Sequence, residues 1–303
     1  MKFAIRDDDL NFYYTPDFID KNLREVFEIC PVSLAAIPLV KGNWKKNTET
    51  LEKVGPGAIT VEIARAIRSD DKIFTIDQNQ DLVGYIKEMI STNKISIAIH
   101  GIHHRNEDSS PPILVNNFSL GAEFHTDRNL TLPLQKGVQI LERCFGEKIE
   151  VFTPPQNSYS LLGAQAVFES GLNVCGYLPS IRNWKMFINL FGKANYLKYL
   201  NHRVQCKQRG LDQPYPHVLR HKGHAIADHC ALQPGTSSSL LMEKFRRVYA
   251  AGGHFVLSTH SYGFDYQMKD SRRSMKHCLL EILNEASKLS DVRFVSLNEI
   301  FAE

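Results

Sequence analysis

Cysteine is sparse and unpaired in this sequence: six among 303 residues, at Cys30, Cys144, Cys175, Cys206, Cys230 and Cys278, with no CxxC spacing. That argues against a disulfide scaffold and against a zinc–thiolate site. The six are expected to be buried thiols that pack as small apolar residues. Long apolar runs are missing too. No segment approaches the ~20 residues of a membrane span, and the opening MKFAIRDDD lacks the apolar core of a signal peptide. The chain therefore reads as soluble and cytoplasmic. No charge of one sign dominates: the net charge is +3 and there is no long basic run, so nucleic acid is not an expected partner. Repeats, low-complexity tracts and Pro/Gly/Ser-rich linkers are also absent, which suggests a single domain over residues 1–303.

What is present is histidine, 12 in all, and an alternation of short apolar runs with longer helical patterns. Strands are expected at 3–6, 33–38, 95–99, 150–153, 174–177, 218–220, 255–259 and 293–296. Helices are expected at 16–30, 59–67, 82–92, 132–145, 161–170, 240–251 and 274–289. In the third of those strands and in HFVLSTH the residues are almost continuously apolar, as in a strand covered on both faces. Repeated βα units point to an α/β fold with parallel strands, a sheet or a barrel, whose functional residues lie where strands end.

Four strand ends carry chemistry. The first is followed by Asp7, Asp8 and Asp9, the third by HGIHH (His100, His103, His104), the fourth by Pro154-Pro155-Gln156-Asn157, and the strand at 255–259 by His260, Ser261 and Tyr262. Three adjacent carboxylates repel one another and resist burial unless a cation offsets them. His100 and His104 are four apart, a spacing that lets two imidazoles face one metal ion, while His103 would point elsewhere. Two histidines and one carboxylate leave coordination positions open for water. Asp9 suits the ligand role. Asp8 suits a base taking a proton from metal-activated water, and His260 an acid for the leaving group.

This ordered set (RDDDL, IAIHGIHH, VFTPPQN, VLSTHSYGF) resembles the polysaccharide deacetylase superfamily, the NodB-like carbohydrate esterases. It is closest to an intracellular branch with R-x-D-D, H-G-x-x-H, E-F (here Glu123-Phe124) and F-x-P-P. The resemblance implies an incomplete or distorted (β/α)7 barrel. It also implies removal of N- or O-linked acetyl groups from a sugar or glycan, using a divalent metal: zinc first, with cobalt, nickel or manganese as alternatives. It places the metal on Asp9, His100 and His104, the base at Asp8 and the acid at His260. Pro155, Gln156 and Asn157 would position the substrate, the Gln156 N–H facing the developing oxyanion. Phe12, Tyr13, Tyr262 and His229 are candidates to line the substrate site.

Two departures stand out. The arginine that orients the base in the family falls at Thr153 here, leaving Asp8 without that partner. The Asp-x-x-Asp-Trp motif that tunes the acid is not found; SIRNW lies in its region without the acids. Asp7, with no role, is expected to face solvent. The segment 217–229, with four histidines, reads as a hairpin or loop at the barrel mouth rather than a second metal site. Residues 183–205 read as an amphipathic helical insertion. The alternatives to a sugar deacetylase are an inactive carbohydrate-binding or scaffold protein on this fold, or a metal-dependent hydrolase of a non-sugar amide.

Overall fold

The computed structural model describes residues 1–42, 72–105 and 122–302; the helix expected at 59–67 lies outside them. Ten of the twelve described strands form one sheet. In chain order these are β1 (Lys2–Leu10), β2 (Val32–Ala36), β5 (Ile95–Ile99), β6 (Val151–Phe152), β7 (Asn173–Cys175), β8 (Leu219–His221), β9 (His224–Ala227), β10 (Cys230–Ala231), β11 (Phe255–Thr259) and β12 (Arg293–Phe294). The order across the sheet is β10-β11-β1-β2-β5-β6-β7-β9-β8, with β12 pairing beside β1. Every pairing is parallel except β8–β9. A separate antiparallel pair, β3 (Leu39–Lys41) and β4 (Ile73–Thr75), was not foreseen from sequence.

The sheet curls. Arg6 on β1 donates through Nη1 to the Cys175 carbonyl on β7, 2.6 Å away. Four strand steps separate β1 from β7, about 19 Å on a flat sheet at the usual ~4.8 Å spacing, which no arginine spans. The concave face must therefore turn inward, as in a barrel. No pairing joins the outermost strands among the described residues.

Strand alternation splits the apolar core in two. Phe3 and Ile5 of β1 face outward into the large layer between sheet and helices, while Ala4 faces inward. The inner cluster is small and built on alanines: Ala4, Ala98, Ala225 and Ala227. Their short side chains leave room for Leu297, Ile300 and Phe301 of the last helix, which plug the N-terminal end of the barrel. The register is held there by Ser33, whose hydroxyl accepts from Leu297 N–H at 2.8 Å.

The covering helices start where their caps dictate. α1 (Pro16–Phe27) opens on Thr15, whose hydroxyl accepts from Phe18 N–H, with proline in the first turn. α2 (Gln80–Ser91) is capped by Asn79. α3 (Thr131–Phe145) stops at Gly146, at φ 74°, a left-handed turn that glycine adopts without strain. Ser160 caps α4 (Leu161–Glu169), Ser237 caps α6 (Ser238–Ala250) and Ser274 caps α7 (Met275–Ser287). α8 (Leu297–Phe301) carries a Ser296/Glu299 capping box. A helix, α5 (Trp184–Gln208), broken at Gly192, occupies the segment expected to be helical, and it buries Phe187, Leu190 and Phe191. All six cysteines are buried and free.

Candidate metal centre

Parallel pairing brings the C-terminal ends of β1, β5, β6, β9 and β11 to one end of the barrel. β1 runs further than expected and carries all three aspartates within it. Its pairing with β2 slips between Asp7 and Leu10, and Asp9 takes a left-handed φ of 78° at that bulge. His104 (φ 69°), Gln156 (φ 53°) and Asn157 (φ 51°) share that unusual backbone state. Four expected site residues thus account for most of the six non-glycine residues with positive φ among those described, the kind of local strain that tends to gather at functional sites.

Asp9, His100 and His104 converge and form a group able to hold a metal ion. His100 Nε2 lies 3.4 Å and His104 Nε2 3.3 Å from Asp9 Oδ1. That oxygen is buried and makes no hydrogen bond of good geometry. Ligands about 2.0–2.1 Å from a tetrahedral ion sit about 3.3 Å from one another. Two nitrogens and an unsatisfied oxygen at that spacing fit a divalent cation. They fit a hydrogen-bonded cluster less well, because that would satisfy the oxygen.

The surroundings prepare the ligands. His100 Nδ1 lies 2.9 Å from the Thr153 carbonyl and 2.8 Å from its hydroxyl. A carbonyl only accepts, so Nδ1 carries the proton and Nε2 presents its lone pair. Thr153, at the position where the resemblance expects an arginine, thus orients the His100 imidazole. Glu123 accepts from the N–H groups of Ile102, His103 and His104 at 2.7, 2.9 and 3.1 Å, and so pins the loop that turns His104 inward. Gly101 is required at this turn: at φ 72° a Cβ would lie 2.3 Å from Glu123 Oε2 and 2.6 Å from Pro155 Cγ. His103 points away, with Nδ1 2.8 Å from the Leu39 carbonyl.

Burial by itself would raise the Asp9 carboxyl. The facing imidazoles of His104, His100 and His260 reverse this and hold it well below the usual carboxylate range. Burial pushes the His104 imidazole well below its ordinary range, although Asp9 opposes it. Burial also lifts Glu123 to about 7, although three N–H donors oppose it.

Asp8 corrects the expectation of a base without a partner. Arg6 Nε and Nη2 donate to Asp8 Oδ1 and Oδ2, each at 2.7 Å, in a bidentate pair buried from solvent. Arg6 Nη2 also donates to Asn157 Oδ1 at 2.9 Å. Two residues apart on one strand, Arg6 and Asp8 point the same way, so β1 supplies both the acid and its partner. The expectation for Asp7 is likewise corrected. It is not solvated but almost fully buried, and it accepts from Ser261 N–H at 2.7 Å. This ties β1 to the turn carrying His260. Burial holds its carboxyl well above the usual range.

His260 Nε2 lies 3.6 Å from Asp9 Oδ2, and its side chain is partly open to solvent. Tyr262 does more than line the site: its hydroxyl donates to Asp9 Oδ2 at 3.1 Å. His229 sits beneath Tyr177, ring centroids 4.3 Å apart. Phe12 stacks on Phe74 of β4 at 4.8 Å, and Tyr13 tilts against both rings. The segment 217–229 contains the β8–β9 hairpin. Asp9, His100 and His104 are the only group of this kind among the described residues. Sequence reading missed the roles of Arg6, Glu123, Thr153 and Asp7. R-x-D-D and E-F were their only traces.

No family model matches the sequence, and no curated protein does. Solved structures do match it. They include a deacetylase solved with its substrate and the Xyl-CE4 domain of a multidomain xylanase. A family 4 acetyl xylan esterase from Clostridium thermocellum, in complex with a cobalt ion, is 10% identical over 99% of this chain and 90% of its own, with a TM-score of 0.44. A CE4 family pseudoenzyme from Bacillus anthracis is 11% identical, with a TM-score of 0.41; the match covers 99% of this chain but 64% of that one. A 4-alpha-glucanotransferase from Thermococcus litoralis is 9% identical, with a TM-score of 0.49, over 100% of this chain and 40% of that one. At this identity and these TM-scores, no residue's role is taken from them.

Proposed function

We propose that the protein is a metal-dependent hydrolase that removes an acetyl group, N- or O-linked, from a sugar or glycan. The observation that carries this reading is the convergence of Asp9, His100 and His104 beside a second carboxylate, Asp8, locked by Arg6. Zinc suits one carboxylate and two imidazoles, and cobalt, nickel or manganese would suit them too. A bound divalent ion supplies Lewis-acid polarisation of the acetyl carbonyl and acidifies water.

The chain's own groups do the rest. Arg6 fixes Asp8 in one rotamer, and the Asp8 carboxylate takes the proton of the attacking water. Attack turns the acetyl carbon tetrahedral, and the Gln156 N–H, set by the Pro154-Pro155 strand end, faces the charge growing on its oxygen. His260, partly exposed at the rim, donates a proton to the departing amine or alcohol. Asp7 keeps that histidine's turn in place through Ser261. The products are acetate and a free amine or hydroxyl.

The inactive alternative drew on a base without an arginine and on the missing acid-tuning motif; the Arg6–Asp8 pair answers the first of these. Acetate release from a panel of acetylated saccharides tests the proposal. Metal-loaded wild type should release acetate, Asp8→Asn should not, and neither should the metal-stripped protein. Release by Asp8→Asn at the wild-type rate would defeat the assignment of the base.

A further inference from the structure

The charge of this chain is unevenly placed. Every charged residue between Glu169 and Asp212 is basic, seven in all, while the rest of the chain carries 29 Lys and Arg against 33 Asp and Glu. A net charge of +3 thus hides a positive region on a slightly negative body. The region is α5 with the residues at its two ends. Arg182, Lys185, Lys193, Lys198, Lys207 and Arg209 are exposed. Of the seven, only Arg203 has a carboxylate partner among the described residues, Asp212. The proposed chemistry uses none of them.

α5 is a helical hairpin. Phe187 and Tyr199 would lie about 18 Å apart along a straight helix, yet their rings stack with centroids 5.2 Å apart. The chain doubles back at Gly192, whose φ is 80°. Phe187 also meets Tyr196, ring centroids 5.7 Å apart, so aromatic rings hold the two arms together. What remains outside is apolar as well as basic. In the second arm Leu197 is 63% exposed and Val204 46%. They lie two turns apart and so share one face. Lys193 stands a turn before Leu197, Lys207 a turn after Val204, and Lys198 beside them. In the first arm Trp184 is 50% exposed, with the Lys185 ammonium 5.8 Å from its ring centroid.

Exposed aliphatic side chains framed by lysines fit a partner that is apolar and negatively charged at once. A polyanion such as nucleic acid would meet the lysines and leave Leu197 and Val204 in water. A bilayer with anionic headgroups meets both. Aliphatic side chains enter the edge of the acyl layer, lysine stems reach back to the phosphates, and tryptophan settles at headgroup level. No helix among the described residues is long and apolar enough to cross a membrane, so the contact is with the surface. We propose that the α5 hairpin is a docking surface for anionic lipid membranes. The apolar stripe is short, with Asn201 between its two aliphatics. Charge therefore supplies most of the attraction, and salt should weaken it. The proposal does not rest on the hydrolase reading.

Co-sedimentation with vesicles tests it, using phosphatidylcholine alone and phosphatidylcholine mixed equally with phosphatidylglycerol. The wild type should bind the mixed vesicles at low salt, ignore the neutral ones, and come off as salt rises. Lys193→Gln/Lys198→Gln/Lys207→Gln should weaken binding about a hundredfold, the contribution of three lysines near a charged surface. Leu197→Ser/Val204→Ser should weaken it about tenfold. Lys21→Gln/Lys87→Gln/Lys148→Gln removes as much charge from exposed positions elsewhere and should bind like the wild type. All the altered side chains are exposed, so each variant should keep the wild-type melting temperature and metal content. A wild type that stays in solution with the mixed vesicles, or binds both kinds equally, overturns the proposal, as does equal weakening by the two lysine triples. Retention on an oligonucleotide column without vesicle binding would assign the surface to a polyanion and overturn it too. Acetate release plays no part in this test, so the hydrolase reading can fail while the docking surface stands.

Discussion

The residue-scale core of the site is the Arg6–Asp8 pair. A guanidinium with no exposed surface has one carboxylate, one carbonyl and one amide oxygen for company. Removing it leaves Asp8 charged and buried. Arg6→Met should cost about 3–5 kcal/mol, the usual penalty for orphaning a buried charge, and should show as a large fall in melting temperature as well as lost acetate release. A stable, inactive Arg6→Met protein would confine the arginine to catalysis; a stable, active one would remove it from the account. Thr153→Val tests the ligand's orientation separately. Its carbonyl still accepts from His100 Nδ1, so metal affinity should fall by less than the ~10–100-fold typical of losing such a support. A full 100-fold loss in a metal titration would show that the hydroxyl carries the contact.

At the scale of elements, the loop after β5 is held by a carboxylate from elsewhere in the chain. Glu123 has its pKa raised to about 7 in the folded protein, chiefly by burial, against about 4.3 in an unfolded chain. As pH rises from about 4.3 the unfolded chain gives up this proton while the folded chain keeps it, so folding stability falls until about pH 7 and then levels. Burial lowers His104 and His229, which makes them act in the opposite direction, so the useful quantity is a difference. In the metal-stripped protein, wild type should lose stability relative to Glu123→Gln across that window, read by denaturant unfolding at several pH values. A pH-independent difference would contradict the shift. Gly101→Ala should damage the same loop, because its Cβ would meet both Glu123 and Pro155. The cost should exceed about 1 kcal/mol, as expected where a positive φ is also required, and the measurement is the melting temperature of the metal-stripped variant.

At the scale of the whole molecule, the parallel α/β order was legible because buried parallel strands announce themselves as short apolar runs, and β5 and β11 appear at the expected residues. The convergence of Asp9, His100 and His104 was legible because they lie near or just past the C-terminal ends of β1 and β5, where that order collects them. What stayed hidden depends on curvature and register. Arg6 reaches Cys175 only because the sheet curls, and Asp7 finds Ser261 because β1 lies beside β11. Neither partner is near in sequence: the separations are 169 and 254 residues. Asp7 therefore looked like one more solvated acid. The β3–β4 pair and five-residue α8 were too short to show a period.

The three aspartates of β1 now have different surroundings: Asp7 anchors a turn, Asp8 is paired with Arg6, and Asp9 faces two imidazoles. The claim on which the rest depends is that this last set holds a metal ion. Elemental analysis of the protein after exposure to zinc and gel filtration tests it directly. The account predicts about one zinc per chain, as for a single three-ligand site, and its loss in both His100→Ala and Asp9→Ala. A wild-type protein that retains no divalent metal, or variants that retain as much as wild type, would contradict it.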